Sequence, residues 1–174
     1  GGWNLRGLPK ALLGLLVSPN RGALIFSPFL LFCIYGAGVG LRHQEPRYRT
    51  LALALVVGLV SALFLTASWR AWHAAFSYGS RYSADALPYW ALFGGFAIDQ
   101  IRRRRLWRRA FAATVIVSIL IHSLAVYWEI FSWNQMIRSE RHLKIRDFED
   151  AAWVTDKPQI LWQARFALDL LDDD

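Results

Sequence analysis

Three stretches of this chain run for about the width of a lipid bilayer without a charged side chain. They are Gly22 to Leu41 and Thr50 to Trp69, 20 residues each, and Ala110 to Trp128, 19 residues. About 20 apolar residues suffice for a helix to cross roughly 30 Å of hydrocarbon. A fourth stretch, Ala86 to Ile98, has 13 uncharged residues and reaches full length if Asp85 and Asp99 sit at its two water interfaces. Hydrophobic residues make up 55% of the chain and charged residues 19%, and the charged ones cluster between these stretches. The pattern predicts an all-α polytopic membrane bundle with about four transmembrane helices. The expected spans are about 22–41, 50–69, 83–101 and 110–131, within a membrane domain 1–131.

The formal net charge is +7, and its location matters more than its sum. Arg102 to Arg105, Arg108 and Arg109 fill the connection between the third and fourth spans, and Arg42, Arg47 and Arg49 fill that between the first and second. The connection between them, residues 70–83, has only Arg70 and Arg81, and the segment from Glu129 onward holds ten acidic and six basic residues. Lys and Arg in short loops mark the cytoplasmic side, so loops 42–49 and 102–109 are expected inside and the tail 132–174 outside. Topology accounts for the arginine block, and no nucleic-acid partner is expected. The chain begins Gly-Gly-Trp, with neither an initiator Met nor a signal-peptide pattern, and reads as a piece of a longer protein. The single cysteine, Cys33, allows no disulfide framework within the chain.

Residues 1–21 are apolar over only about ten positions before Arg21, which suits an N-terminal interfacial or re-entrant segment. Trp69, Trp72, Trp107, Trp128 and Trp133 fall where headgroup-depth anchors belong. Pro28 and Pro88 are expected to bend the first and third spans. Gly36 with Gly40, and Gly94 with Gly95, are spaced for close helix contact. In the tail, "PQILWQARFALDLL" predicts a short amphipathic helix after Pro158, with Ile160, Leu161, Phe166 and Leu168 near one side, docking on the membrane domain or its surface.

The stretch "AFSYGSRYSADALPYW" sets charge and phenol groups against the third span. If residues 78–89 are helical, Tyr78, Arg81, Tyr82, Asp85 and Tyr89 share one face at the outer membrane boundary. Arg81 could offer its donor fork to phosphate oxygens, with Asp85 holding the fork and Tyr78 and Tyr82 forming hydrogen-bonding walls. The plainer alternative is a structural Arg81–Asp85 pair among interfacial tyrosines. Arg21, in "SPNRG", is a second candidate phosphate contact at the same boundary, or else a snorkelling anchor. His122, alone in the fourth span, reads as a helix-to-helix hydrogen bond. His43, His73 and His142 lack metal-ligand spacing, and no metal site is expected. Glu149 and Asp150 read as solvated.

"LLVSPNRGALIFSPFLLF" and "FSYGSRYSADALPYWALF", with "KPQILWQARFAL" more loosely, resemble stretches of bacterial multi-pass membrane glycosyltransferases of the C superfamily, the group that includes protein mannosyltransferase-like enzymes. The departures are Ala74, Ala75 and Ser80, where a Trp- and Gly-rich approach and a Pro before the arginine are expected. The resemblance implies a protein of the bacterial inner membrane that takes a sugar from a polyprenyl-phosphate donor and passes it to an extracytoplasmic acceptor. Such transfer needs a carboxylate base and cations on the departing phosphate. By the same resemblance the catalytic aspartate lies upstream, with no catalytic residue in this segment. Arg21, Tyr78, Arg81, Tyr82 and Asp85 would then hold the carrier phosphate or shape the cavity. A non-enzymatic scaffold or lipid-carrier-binding subunit is the alternative. A transporter would be expected to carry ionisable groups near midplane, where this chain offers only His122.

Overall fold

The computed structural model describes residues 2–74, 77–79, 81–124, 130–142 and 145–172. It is all-helical, and the only β pairing among the described residues is an isolated bridge between Trp3 and Trp69. Eight α-helices follow in order: α1 (Leu8–Val17), α2 (Ala23–Phe26), α3 (Leu30–Leu41), α4 (Pro46–Ser68), α5 (Leu87–Arg103), α6 (Arg105–Ser123), α7 (Ile130–Glu140) and α8 (Gln159–Asp172). Two 3-10 segments, Arg81–Ala86 and Ile145–Trp153, lead into α5 and toward α8.

Helices α4 and α6 are long and apolar enough to cross a membrane, at 23 and 19 residues. Only 22% and 6% of their most apolar windows are buried within the protein, so both helices present most of their apolar surface outward. Instead Leu53, Val57, Val60 and Leu65 of α4, and Ile116, Ile119 and Leu120 of α6, stand outward. An apolar band of that extent is of the kind found at membrane or protein contact surfaces.

The first expected span is not one helix. Ser27 closes α2 at φ −135° and ψ 69°, because the ring of Pro28 excludes the helical conformation from the residue before it. Three short-range bonds, Leu30 N–H to Ser27 O, Leu31 N–H to Pro28 O and Phe32 N–H to Phe29 O, then carry the chain into α3. Pro28 therefore breaks the segment where a bend was expected, and α3, at 12 residues, rises only about 18 Å. Pro88 also differs from expectation. It sits in the first turn of α5, where its missing N–H costs nothing, and so bends no helix interior. The expected third span, 83–101, corresponds to the 3-10 segment Arg81–Ala86 followed by α5, a 17-residue helix that is not among the two long and apolar enough to cross a membrane.

Helix α3 runs parallel to α5 and antiparallel to α4 and α6. The α3–α5 approach depends on Gly36, where an added Cβ would overlap the Phe93 carbonyl oxygen, and on Gly40, where it would stand 2.9 Å from Ala52 Cβ and 3.1 Å from the Phe96 ring. Gly58 of α4 admits the Tyr89 ring in the same way. Gly94 makes only an ordinary contact with Cys33, and Gly95 faces open space, so the second glycine pair does not serve helix packing as the first does. Leu30, Cys33, Leu59, Trp90 and Phe93 form the core between these helices. Two smaller cores lie at one end: Ala11, Leu15, Ala67, Trp72 and Ala152, and Trp133, Ile137, Ala151 and Val154. Through them the tail closes on α1 and on the end of α4.

The bundle thus has two unlike ends. The α3–α4 and α5–α6 turns, with all the clustered arginines, are at one. At the other are the N-terminal segment, the connection after α4, the end of α6 and the tail.

Candidate functional site

The tail-bearing end is held by a buried polar network whose hub is Arg21, only 2% exposed. Gly22 makes the turn: a Cβ there would meet the backbone of Ser18 at 2.6 Å, and Gly22 N–H donates to Ser18 O at 2.8 Å. That tight loop aims Arg21 inward. Its Nε donates to the His73 carbonyl at 2.9 Å, Nη1 to the Asn20 carbonyl at 2.9 Å and to Gln159 Oε1 at 2.7 Å, and Nη2 to Asn134 Oδ1 at 3.1 Å. The guanidinium also lies 5.7 Å from the centre of the Trp133 ring. A guanidinium has five N–H donors in a rigid fork, so these four bonds occupy most of what it can offer. Burial lowers Arg21 from 12.5 to about 9, and it stays a cation at neutral pH.

Two amides extend the network into the tail. Asn20 donates through Nδ2 to the carbonyls of Ala151 and Val154, at 2.9 and 2.8 Å, and accepts from Gln159 N–H at 2.7 Å. Gln159 in turn accepts from Gly79 N–H at 3.2 Å and donates to Ser77 O at 3.2 Å. Gly79 has φ +59° and lies so close to the Phe26 ring that a Cβ would stand 2.6 Å from it, two reasons for glycine at that position. Outside the network, Lys10 bridges to Glu149 and Asp150 at 3.3 and 2.9 Å, so the two carboxylates expected to be solvated share a cation from α1.

His73 is buried beside the hub. Loss of hydration, and then the positive charge of Arg21, push its imidazole from 6.5 down to about 4, with Glu149 pulling weakly the other way. It is neutral at pH 7.

The five residues singled out in the sequence separate. Arg21 is the hub. Tyr78 turns inward, donating its hydroxyl to the Ile121 carbonyl at 2.9 Å and meeting the Phe26 ring edge-on at 5.1 Å, and burial raises its phenol above the ordinary range. Arg81 and Asp85 are exposed, and among the described residues no hydrogen bond or ion pair joins them. The reason is local geometry. Residues 81–86 form a 3-10 helix, in which i and i+3 eclipse and i and i+4 do not, and the turn at Gly79 sets Tyr78 on another side. Tyr82 lies in this segment, with its side chain outside the described residues. Tyr89 packs on α4.

Next to this end, His122 Nε2 lies 3.0 Å from Ser27 Oγ, the helix-to-helix bond expected of it. The pair borders an open apolar groove of about 620 Å³ whose walls include Phe29, Leu87, Phe111, Val115 and Ile119.

Sequence reasoning missed Asn20, His73, Asn134 and Gln159 as members of one network. A signal existed for the last: Gln159 and Gln163 are an amide pair at i and i+4 on a helix whose other residues are mainly apolar. Both are buried, Gln159 hydrogen-bonded through both its amide atoms and Gln163 with no bond to its amide among the described residues, while Leu161 and Leu168 are exposed, so α8 docks through its glutamine side and turns out two of the four apolar side chains expected near one side.

The chain matches no family model, no curated protein and no solved structure.

Proposed function

We propose that this chain is the C-terminal part of an integral-membrane glycosyltransferase of the bacterial inner membrane, moving a sugar from a polyprenyl-phosphate donor to an extracytoplasmic acceptor. One observation carries the reading. The three sequence blocks that bear the family resemblance are separated by some forty to seventy residues and meet at one end of the bundle. Arg21 of the first bonds Gln159 of the third, Gln159 bonds Gly79 of the second, and Tyr78 of the second packs on Phe26 of the first. A resemblance produced by membrane composition alone would give no reason for the blocks to converge.

In this reading the residues divide the work. Arg21, with its fork turned into the protein, is a positioning residue that fixes the loop from which Arg81 emerges. Arg81 is the exposed cation that would meet the carrier phosphate, and Tyr78 shapes the wall behind it. The apolar groove beside His122 would receive hydrocarbon. In this proposal the basic end faces the cytoplasm and the network end the opposite side, with the catalytic carboxylate contributed from outside this segment.

The test is made in the full-length protein, in membranes, with labelled polyprenyl-phosphate sugars. Transfer is expected, and Arg81→Ala is expected to reduce it by about a hundredfold, the scale for losing one charge-stabilising donor, while membrane insertion is unchanged. Donor binding without transfer would favour the scaffold reading. Near-normal turnover of the Arg81→Ala variant would remove Arg81 from the proposal.

A further inference from the structure

The arginine-bearing end carries more than a charge bias. Nine arginines (Arg42, Arg47, Arg49, Arg102 to Arg105, Arg108 and Arg109) face two carboxylates, Glu45 and Asp99, so the whole formal excess of +7 resides there. All nine are exposed. A topological signal needs only that count. This end also has an open groove of about 630 Å³, walled by Ile34, Tyr35 and Val39 of α3 and rimmed by Arg42, His43 and Gln44. Its floor at Gly38 is empty: an added Cβ would find nothing within 4 Å. Tyr35 packs edge-on against Trp107 at 4.8 Å, which brings the first turns of α6, with Arg105 and Arg108, beside the groove wall. Between those arginines Leu106 is 76% exposed, an apolar side chain held out amid cations.

Apolar wall, cationic rim and a protruding leucine in a cationic turn together describe a ligand with hydrocarbon at one end and negative charge at the other. We infer that the groove along the second half of α3 and the turn after it, beside the start of α6, binds one anionic diacyl phospholipid, an acyl chain along Ile34, Tyr35 and Val39 and the phosphate at Arg42. The occupant follows from charge complementarity. Each basic residue near an anionic lipid surface strengthens attraction about fivefold, and a zwitterionic lipid would leave the excess of arginines without counter-charge. The groove size is that of an ordinary small-molecule site. The inference rests on the membrane part of the proposal above and is independent of sugar transfer.

The test places the full chain in nanodiscs of phosphatidylcholine containing a minority of phosphatidylglycerol, then counts the lipids retained on release by native mass spectrometry. Phosphatidylglycerol is expected to be retained well above its share of the disc. Arg42→Gln is expected to lower that enrichment about fivefold. Gly38→Leu, which fills the groove floor and leaves every arginine in place, is expected to abolish it. Added inorganic phosphate should not displace the lipid, and displacement would reassign the rim to a soluble anion and overturn the inference. Retention in proportion to disc composition would overturn it alone, with membrane insertion intact. Failure to enter discs of phosphatidylcholine would overturn the membrane reading and this inference with it.

Discussion

Replacing Arg21 by Met removes four buried hydrogen bonds at once, to His73, Asn20, Gln159 and Asn134. Breaking a buried charged network is expected to cost about 3 kcal/mol or more, read as a lowered thermal midpoint in detergent. Earlier proteolysis of the segment between residues 154 and 158 should accompany it, because the same network holds the tail. Arg81→Ala is expected to change stability by less than about 0.5 kcal/mol, since its side chain is exposed and bonded to nothing described. Equal destabilisation by both variants would refute this division of roles. His73 adds a pH dependence. Its folded value of about 4 lies below the unfolded 6.5, so between those values the unfolded chain binds more protons and stability falls on acidification. The slope is at most about 1.4 kcal/mol per pH unit. Thermal midpoints measured from pH 7 down to pH 4.5 should fall for the wild type and flatten for His73→Phe. Both arginines were visible in the sequence as interfacial cations, yet nothing in their flanking residues distinguished the buried one. The distinction comes from the amides of α7 and α8, more than a hundred residues from Arg21, which only the closed tail brings to it.

Among the elements, α3 and α5 set the width of the bundle through Gly36 and Gly40. Gly36→Ala would force a methyl group onto the Phe93 carbonyl, and the two backbones would have to separate. The expected cost is about 1–3 kcal/mol. Gly95→Ala meets open space and is expected to be neutral or to stabilise α5 by roughly 0.5 kcal/mol, the ordinary helix preference for alanine. Thermal midpoints of the pair, measured side by side, check the contrast. The i, i+4 spacing of Gly36 and Gly40 was legible as a contact surface. Gly94 and Gly95 gave a similar signal without the contact, because adjacent residues point about 100° apart on a helix and cannot share a face. The breaks after Phe26 and before Leu87 were legible as prolines. Their form was not, since a proline bends a helix interior but ends or begins a helix according to where the neighbouring turns find partners, and that depends on packing.

At the scale of the whole molecule, the chain has two unlike ends, one bearing the clustered arginines and the other the buried network around Arg21. The uncharged stretches 50–69 and 110–128 pointed to α4 and α6, although α6 ends at Ser123 and residues 125–129 lie outside the described residues, and the arginine clusters located the turns. The closure of the tail on α1 was harder to see, because it uses uncharged amides and small cores around Trp133 and Ala152 in place of a long apolar surface. The proposed lipid site at one end and the proposed carrier-facing arginine at the other both require those ends to lie on opposite sides of a bilayer. Single cysteines test this directly. Cys33, buried in α3, is first changed to Ser. Gln44→Cys and Asp156→Cys are then made separately and treated with a membrane-impermeant maleimide in right-side-out and inverted vesicles. Labelling of position 156 is expected only in right-side-out vesicles and of position 44 only in inverted ones. Labelling of both positions from the same side, or recovery of the chain in the soluble fraction, would contradict the opposite-side arrangement.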